Sequence, residues 1–339
     1  GKLDFEGGNF RRWKAHFSKF KVGETDIRGQ VSQLSDGEFL VRLDGSRLDI
    51  EPLLIGDQRE GREVTRNAVT ETKQIYIDMN VDSLRTGPKF GLGRTEGQMR
   101  LIGREIDMLS MDAGLGDGKS LQVNYAPSQA GHALEIRSND AGATLRMLGW
   151  SDKLEGGELS VTGQRRGQDE PLSGSFKLSD YKLTKAPALA RLLQVASLTG
   201  IFDALQSGLE FVAFDGTFAY SNKLLRVERS RAYGSSIGIT VEGALDLEED
   251  IAELKGTVVP AYTVNRVLGQ IPILGPILTG GENEGVFAAS YAVNGPLEDP
   301  AIAVNPLSAL APGFLRKLFD AIGGDTEPSP SAVPEKRDN

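Results

Sequence analysis

Along this chain apolar and polar residues trade places at every second position, the period of a β-strand with one covered face. The clearest run is Ile75, Ile77, Met79 and Val81, interleaved with Tyr76, Asp78, Asn80 and Asp82. The same pattern carries Phe39, Val41 and Leu43, then Leu121, Val123 and Tyr125, then Leu134 and Ile136, Leu159 and Val161, and Phe176 and Leu178. It continues through Phe214, Phe218 and Tyr220, through Ile237, Ile239 and Val241, and through Phe287, Tyr291 and Val293. Between the runs stand turn formers: DG at 36–37, GDGK at 116–119, GG at 156–157 and SN at 221–222. These are hairpin signals, so the pattern predicts on the order of fifteen strands with antiparallel neighbours. The runs recur without a repeat of residue identity, and no solenoid code is present.

Three segments change to helical spacing. In 187–207, Leu189, Leu192, Leu193, Ala196, Ile201, Phe202 and Leu205 form an apolar stripe behind Pro187, with Gly208 as a stop. In 263–278, Gly269, Pro272, Gly275 and Pro276 cut the apolar run into two short helical pieces. In 307–322, Phe314, Leu315, Leu318, Phe319 and Ile322 oppose Arg316 and Lys317. From 325 to 339 the chain is charged and rich in Pro and Ser, which predicts a disordered tail.

An alternating strand needs cover on one face. A single sheet of about fifteen strands would span roughly 70 Å, which three short helices cannot cover. The sheet must therefore curl on itself, pair with a second sheet, or turn an apolar trough toward something that is not protein. Read from the residues alone, an ordinary sandwich or closed barrel answers the pattern better than an open groove.

Composition narrows the chemistry. With 39% hydrophobic residues and 41 glycines among 339, the chain has an ordinary folded composition. An excess of 47 acidic over 38 basic residues argues against nucleic acid as a partner. Cys is absent, which removes disulfides, thiol chemistry and Cys metal sites. The two histidines, His16 and His132, lie in unrelated contexts, so no metal site, cofactor or catalytic triad is expected and the chain does not read as an enzyme. GLGRTEG at 91–97 lacks the Lys-Ser/Thr ending of a phosphate loop and reads as a turn. Glu248, Glu249 and Asp250, like Asp169 and Glu170, read as solvated turn tips.

The C-terminal third carries the most specific wording. GTVVPA, IPILGPILTGG, the GPLEDP turn and VNPLSALAPGFLRKLF give a strand ending in Pro260, a broken apolar helix, two strands and an amphipathic helix started by Pro. This order resembles the AsmA-like family of Gram-negative envelope proteins, above all its YhdP-type members, with TamB more distant. The resemblance is strongest over 210–320. It implies a mainly β fold, a long curled antiparallel sheet forming an elongated, taco-like apolar groove with short amphipathic helices capping the C-terminal end. The implied layout is a β-groove segment at 1–183, the AsmA-like C-terminal region at 184–324, and the tail at 325–339.

The implied function is a periplasmic part of an envelope protein that shields lipid acyl chains and supports phospholipid transport between inner and outer membranes. The full-length protein would be anchored to the inner membrane by an N-terminal helix upstream of Gly1. The groove candidates are Ile75, Ile77, Met79, Val81, Leu121, Val123, Leu134, Ile136, Phe214, Phe218, Ile237, Ile239, Val241, Phe287 and Val293. Candidates for a groove end or membrane-facing surface are Ile271, Ile273, Leu274, Ile277, Leu278, Phe314, Leu315, Leu318 and Phe319. A scaffold that assists outer-membrane protein assembly through exposed strand edges is the alternative, and a purely structural β spacer is a third reading.

Overall fold

The computed structural model describes residues 2–6, 12–51, 73–87, 90–103, 105–167, 169–184, 208–235, 237–260, 289–297 and 299–305. The helical stripes read in 187–207, 263–278 and 307–322, the tail, Phe287 and all nine groove-end candidates lie outside those residues.

The described residues form nineteen strands. The first four are β1 (Lys2–Glu6), β2 (Arg12–Val22), β3 (Thr25–Ser35) and β4 (Glu38–Asp49). Next come β5 (Gln74–Val81), the short β6 (Leu84–Gly87) and β7 (Phe90–Leu92), β8 (Thr95–Ile102), β9 (Glu105–Gly116), β10 (Lys119–Ser128) and β11 (Gly131–Ser138). After the helix α1 (Ala141–Met147) follow β12 (Leu154–Arg165), β13 (Leu172–Leu183), β14 (Leu209–Ser221), β15 (Leu224–Gly234), β16 (Ile237–Asp246), β17 (Ile251–Pro260), β18 (Ala289–Pro296) and β19 (Ala301–Asn305). The DG, GDGK and SN signals close β3–β4, β9–β10 and β14–β15 as tight turns.

Each long strand pairs with its neighbours in chain order, with one exception: β5 skips the β6–β7 ribbon and pairs with β8. The result is one long mixed sheet that is not closed into a barrel. All pairings are antiparallel except β4–β5 and β4–β6, which are parallel because the chain crosses between residues 51 and 73. Hairpin signals could not reveal that crossover, since they report only local reversals.

The GG pair at 156–157 is not a turn. Gly156 and Gly157 lie inside β12 with φ of +67° and +87°, and Asp180 on the facing strand also has positive φ. The paired strands kink there instead of reversing, which brings Leu154, Tyr181, Leu209 and Phe211 into a buried cluster with Ile237, Val258 and Ala289. Tyr181 and Phe211 stack with ring centroids 5.1 Å apart. A second cluster joins Ile27, Val81, Ala113, Leu115 and Leu121 to Leu84 and Leu92 of the ribbon and Ala143 of α1.

Helix α1 has no apolar periodicity long enough to announce itself, yet its start is well specified. Asp140 is the N-cap, accepting from the Ala143 N–H at 2.7 Å. Lys119 Nζ approaches the same carboxylate at 2.8 Å, and the Ser138 and Thr144 hydroxyls bond at 2.7 Å beneath it. At its far end the Met147 carbonyl accepts from the Thr86 hydroxyl, tying the helix to β6.

Two glycines mark where strands approach too closely for a side chain. A Cβ on Gly174 would collide with the Thr162 carbonyl oxygen of β12, and one on Gly256 would collide with the Thr240 carbonyl oxygen and meet the Tyr291 hydroxyl at 2.7 Å. That hydroxyl donates to the Thr240 carbonyl at 2.8 Å, so the site is filled from both sides. Gly256→Ala is therefore expected to destabilise the chain by about 2 kcal/mol and lower its melting temperature by several degrees. An unchanged thermal melt would show that β16 and β17 part freely at this point.

Candidate functional site

The register turns the alternating runs into rows. One row takes a residue from each of the seventeen long strands. It begins Leu3, Ala15, Val31, Val41, Ile77, Met99, Leu109, Tyr125 and Leu134. It ends Gly163, Gly174, Phe218, Val227, Gly243, Leu254, Val293 and Ile302. Every position is apolar, glycine or tyrosine. At strand spacing of about 4.8 Å such a row extends roughly 75 Å.

A second row runs beside it on the same face: Phe17, Gly29, Leu43, Met79, Gly97, Met111, Val123, Ile136, Val161 and Phe176. A third row takes Ile27, Val81, Ala113, Leu121, Leu159, Leu178, Phe214, Ala232, Ile239, Val258 and Ala289 from their strands, with Gly45, the buried Thr95 and the buried Ser138 between them on β4, β8 and β11. Between these rows, on the opposite face, the register gives Gln30, Arg42, Asp78, Gln98, Ser110, Asn124, Glu135, Thr162, Ser175, Thr217 and Glu228 without an apolar member. That face is solvated, with Arg42 and Asp78 3.8 Å apart and the Thr162 and Ser175 hydroxyls bonded at 3.1 Å.

The three apolar rows are not equally covered. In the third row Val81, Leu121 and Val258 are buried, because α1, the β6–β7 ribbon and the kinked strand ends pack against them. In the first row Val31, Val41, Ile77, Met99, Leu109, Leu134, Phe218, Val227, Leu254, Val293 and Ile302 are only half-buried. The described residues hold a single helix, which packs against β7, β9, β10, β12 and β13 and is bonded to β6.

The candidates fall on this face as follows. Ile77, Leu134, Phe218 and Val293 stand in the first row, Met79, Val123 and Ile136 in the second, and Phe214 and Ile239 in the third. Val241, opposite Ser230, carries the second row beyond the irregular pairing of β15, and Ile75 lies one step outside the first row, between Phe39 and Leu101. Val81, Leu121 and Ile237 share the face but are buried within the two clusters. Residues that complete the lining and were not singled out as site candidates include Met99, Leu109 and Met111. A register shift between Arg100 and Leu101 interrupts their alternation, and only the pairing reveals that they are collinear with Ile77 and Met79.

The row outside the first one holds a local break. It is apolar at Phe39, Ile75 and Leu101 and again at Leu172, Tyr220, Leu225 and Leu245. Between those stretches the register places His132 opposite Arg165. Asp107 receives His132 Nε2 at 3.2 Å and pairs with the Arg100 guanidinium, while Tyr125 stacks on the His132 ring with centroids 5.1 Å apart. Burial alone would raise the Asp107 pKa, but the bonds from Arg100 and His132 outweigh it and hold the carboxyl below its ordinary range. Asp140 follows the same logic, with Lys119 and the Ala143 N–H overcoming burial. Burial pushes the Tyr181 and Tyr291 hydroxyls well above the usual tyrosine range, so both stay protonated. Among the described residues of this face no nucleophile stands beside a base.

A family model described as YhdP protein matches residues 2–302. No curated protein and no solved structure matches the chain.

The two depressed carboxyls set an acid limit. A group whose folded pKa lies below its unfolded value stabilises fully above the unfolded pKa, and the contribution is lost as pH falls through the folded one. Stability should therefore decline on acidification from about pH 5 toward pH 2. Replacing both groups, Asp107→Asn with Asp140→Asn, keeps the hydrogen-bonding shape and should flatten that decline in urea melts taken across the range. An identical acid slope in the double variant would assign the loss to other groups.

Proposed function

The chain belongs to the YhdP family, and from that premise we propose that its apolar face shields lipid acyl chains from water and supports phospholipid passage through the periplasm between the inner and outer membranes. The observation that carries this reading is the first row: seventeen consecutive strands without one polar interruption, and side chains left half-buried. A row that served only as a core would be covered along its length, as the third row is where α1 and the ribbon reach it. Each methylene removed from water is worth about 0.8 kcal/mol, so two bare acyl chains cost tens of kcal/mol that a curled apolar face offsets.

The lining suits passage better than tight holding. Val, Ile, Leu and Met offer similar dispersion contacts at each strand step, so the free energy of a chain sliding along the row changes little from one step to the next. A fixed polar constellation within the row would create a well, and the first row contains none. The polar outer face meets water and lets the sheet stand in an aqueous compartment.

Native mass spectrometry of gently purified protein should show phospholipid retained by the folded chain. Ile77→Asp and Leu134→Asp, both in the first row, should reduce that occupancy several-fold, whereas Ser110→Asp on the polar face should leave it unchanged. Lipid-free protein, or equal retention by all three variants with folding intact, would overturn the reading. Crosslinks from β1 or β19 to unfolded outer-membrane protein, without lipid adducts, would instead favour capture of client strands at the sheet edges.

A further inference from the structure

We infer that Met79, Met99 and Met111 form an oxidation site on the apolar face, where a two-electron oxidant such as hydrogen peroxide converts thioethers to sulfoxides and so interrupts the path of an acyl chain. The inference rests on the acyl-shielding reading above and adds to it a modification and the residues that take it.

Sulfur is sparse in this chain and unevenly placed. Cys is absent and there are five methionines, so thioethers are the only sulfur an oxidant can meet. Three of these residues fall in one patch of the apolar face, on the adjacent strands β5, β8 and β9. Met79 faces Gly97 across β5 and β8, and Gly97 faces Met111 across β8 and β9. Met99 stands two residues from Gly97, between Ile77 and Leu109 in the first row. By strand spacing, Met79 and Met111 are roughly 10 Å apart with only a glycine between them. All three are half-buried, Met79 and Met111 resting against the second cluster without being enclosed by it. The other two methionines are placed differently: Met108 opposes Arg100 on the solvated face, and Met147 lies in α1.

As thioethers these side chains belong to the rows, apolar and as adaptable as the aliphatic residues beside them. Oxidation changes that by one atom. The peroxide O–O bond breaks, one oxygen bonds to sulfur, the sulfur gives up two electrons, and the other oxygen leaves as water. A sulfoxide oxygen is a strong hydrogen-bond acceptor. An acyl chain lying across it strips away its water and offers no donor in return, so the chain is disfavoured there. Three such oxygens put a polar step across the first and second rows, at strands where both are otherwise apolar. Met108 and Met147 stand outside those rows, so their oxidation leaves the path intact.

The folded chain, purified with its phospholipid, is titrated with hydrogen peroxide. Peptide mapping reads the oxidation at each methionine, and native mass spectrometry reads the lipid retained. Retention should fall several-fold in step with sulfoxide at Met79, Met99 and Met111. Methionine sulfoxide reductases for both epimers, with dithiothreitol as reductant, should restore uptake from phosphatidylethanolamine vesicles. Met79→Leu, Met99→Leu and Met111→Leu combined conserve volume. That variant should keep, at the same peroxide dose, whatever lipid it held beforehand, whereas Met108→Leu should respond as the wild type does. Undiminished retention in protein oxidised at all three positions would overturn the site while the acyl-shielding reading stands. Oxidation confined to Met108 and Met147, or an equal loss of lipid from the triple variant, would do the same. Collapse of the far-ultraviolet circular dichroism on oxidation would also overturn it, since lipid would then leave with the fold. Absence of lipid before any peroxide is added would remove the acyl-shielding reading and this one together.

Discussion

Everything in this molecule depends on parity: the condition that the residues meeting across each strand pair belong to the same face. Side chains alternate along a strand, so a slip of one residue at any of sixteen junctions would turn all later strands inside out. The register avoids this even where the topology changes. Between β4 and β5 the direction switches from antiparallel to parallel, yet Val41 still meets Ile77 and Leu43 still meets Met79. Register shifts do occur, at Phe17/Phe20, Arg100/Leu101 and Val227/Ser230, and the apolar row resumes beyond each of them. Extra residues are accommodated as bulges, which bend and twist the strand while the face is kept.

Parity alone produces a two-faced sheet; the uneven covering gives it a use. The kinked ends of β12–β14, the ribbon and α1 gather the third row into two buried clusters, and these supply the dense packing a stable fold requires. Once stability is concentrated at one set of strand ends, the first row is released from serving as a core. It keeps the apolar composition that parity gives it, and its side chains from Val31 to Leu254 stay half-buried among the described residues, while Val293 and Ile302 pack against the first cluster. An apolar face of that extent, left half-covered among the described residues, is larger than the patches a monomer commonly exposes.

Much of this was legible in the residues. Period-two runs located Ile75 to Val81, Leu134 and Ile136, and Ile237 to Val241 in strands, and the wording around Pro260 and GPLEDP pointed to the right family. Three kinds of fact were not legible, each for a physical reason. The parallel β4–β5 junction depends on where the 24-residue connection from 50 to 73 delivers the chain, which local turn chemistry does not encode. Helix α1 is set by an Asp140 cap and a tertiary anchor at Thr86, with too few turns to show a period. The GG pair at 156–157 carries the same composition in a kink as in a hairpin turn, and only the pairing of β12 with β13 distinguishes them. For the same reason periodicity put Val81 and Ile77 in one class. Which of them is buried depends on what packs above each, and that is decided by residues far away in the chain.

The glycines of the apolar face set how closely its strands approach. Gly163, Gly174 and Gly243 stand in the first row, and Gly29, Gly97 and Gly216 in the register of the second. Several of them stand where a Cβ would strike the backbone of the neighbouring strand, as at Gly174 beside Thr162 and Gly29 beside Arg42. Larger residues there would force the strands apart. The position a side chain would take is already used: the Phe17 ring lies over Gly29, the Phe218 ring over Gly163 and the Ser230 side chain over Gly216. Glycine on this face therefore lets adjacent backbones close up and lets a side chain of a nearby strand lie across them, so the apolar rows stay continuous where the strands approach most closely.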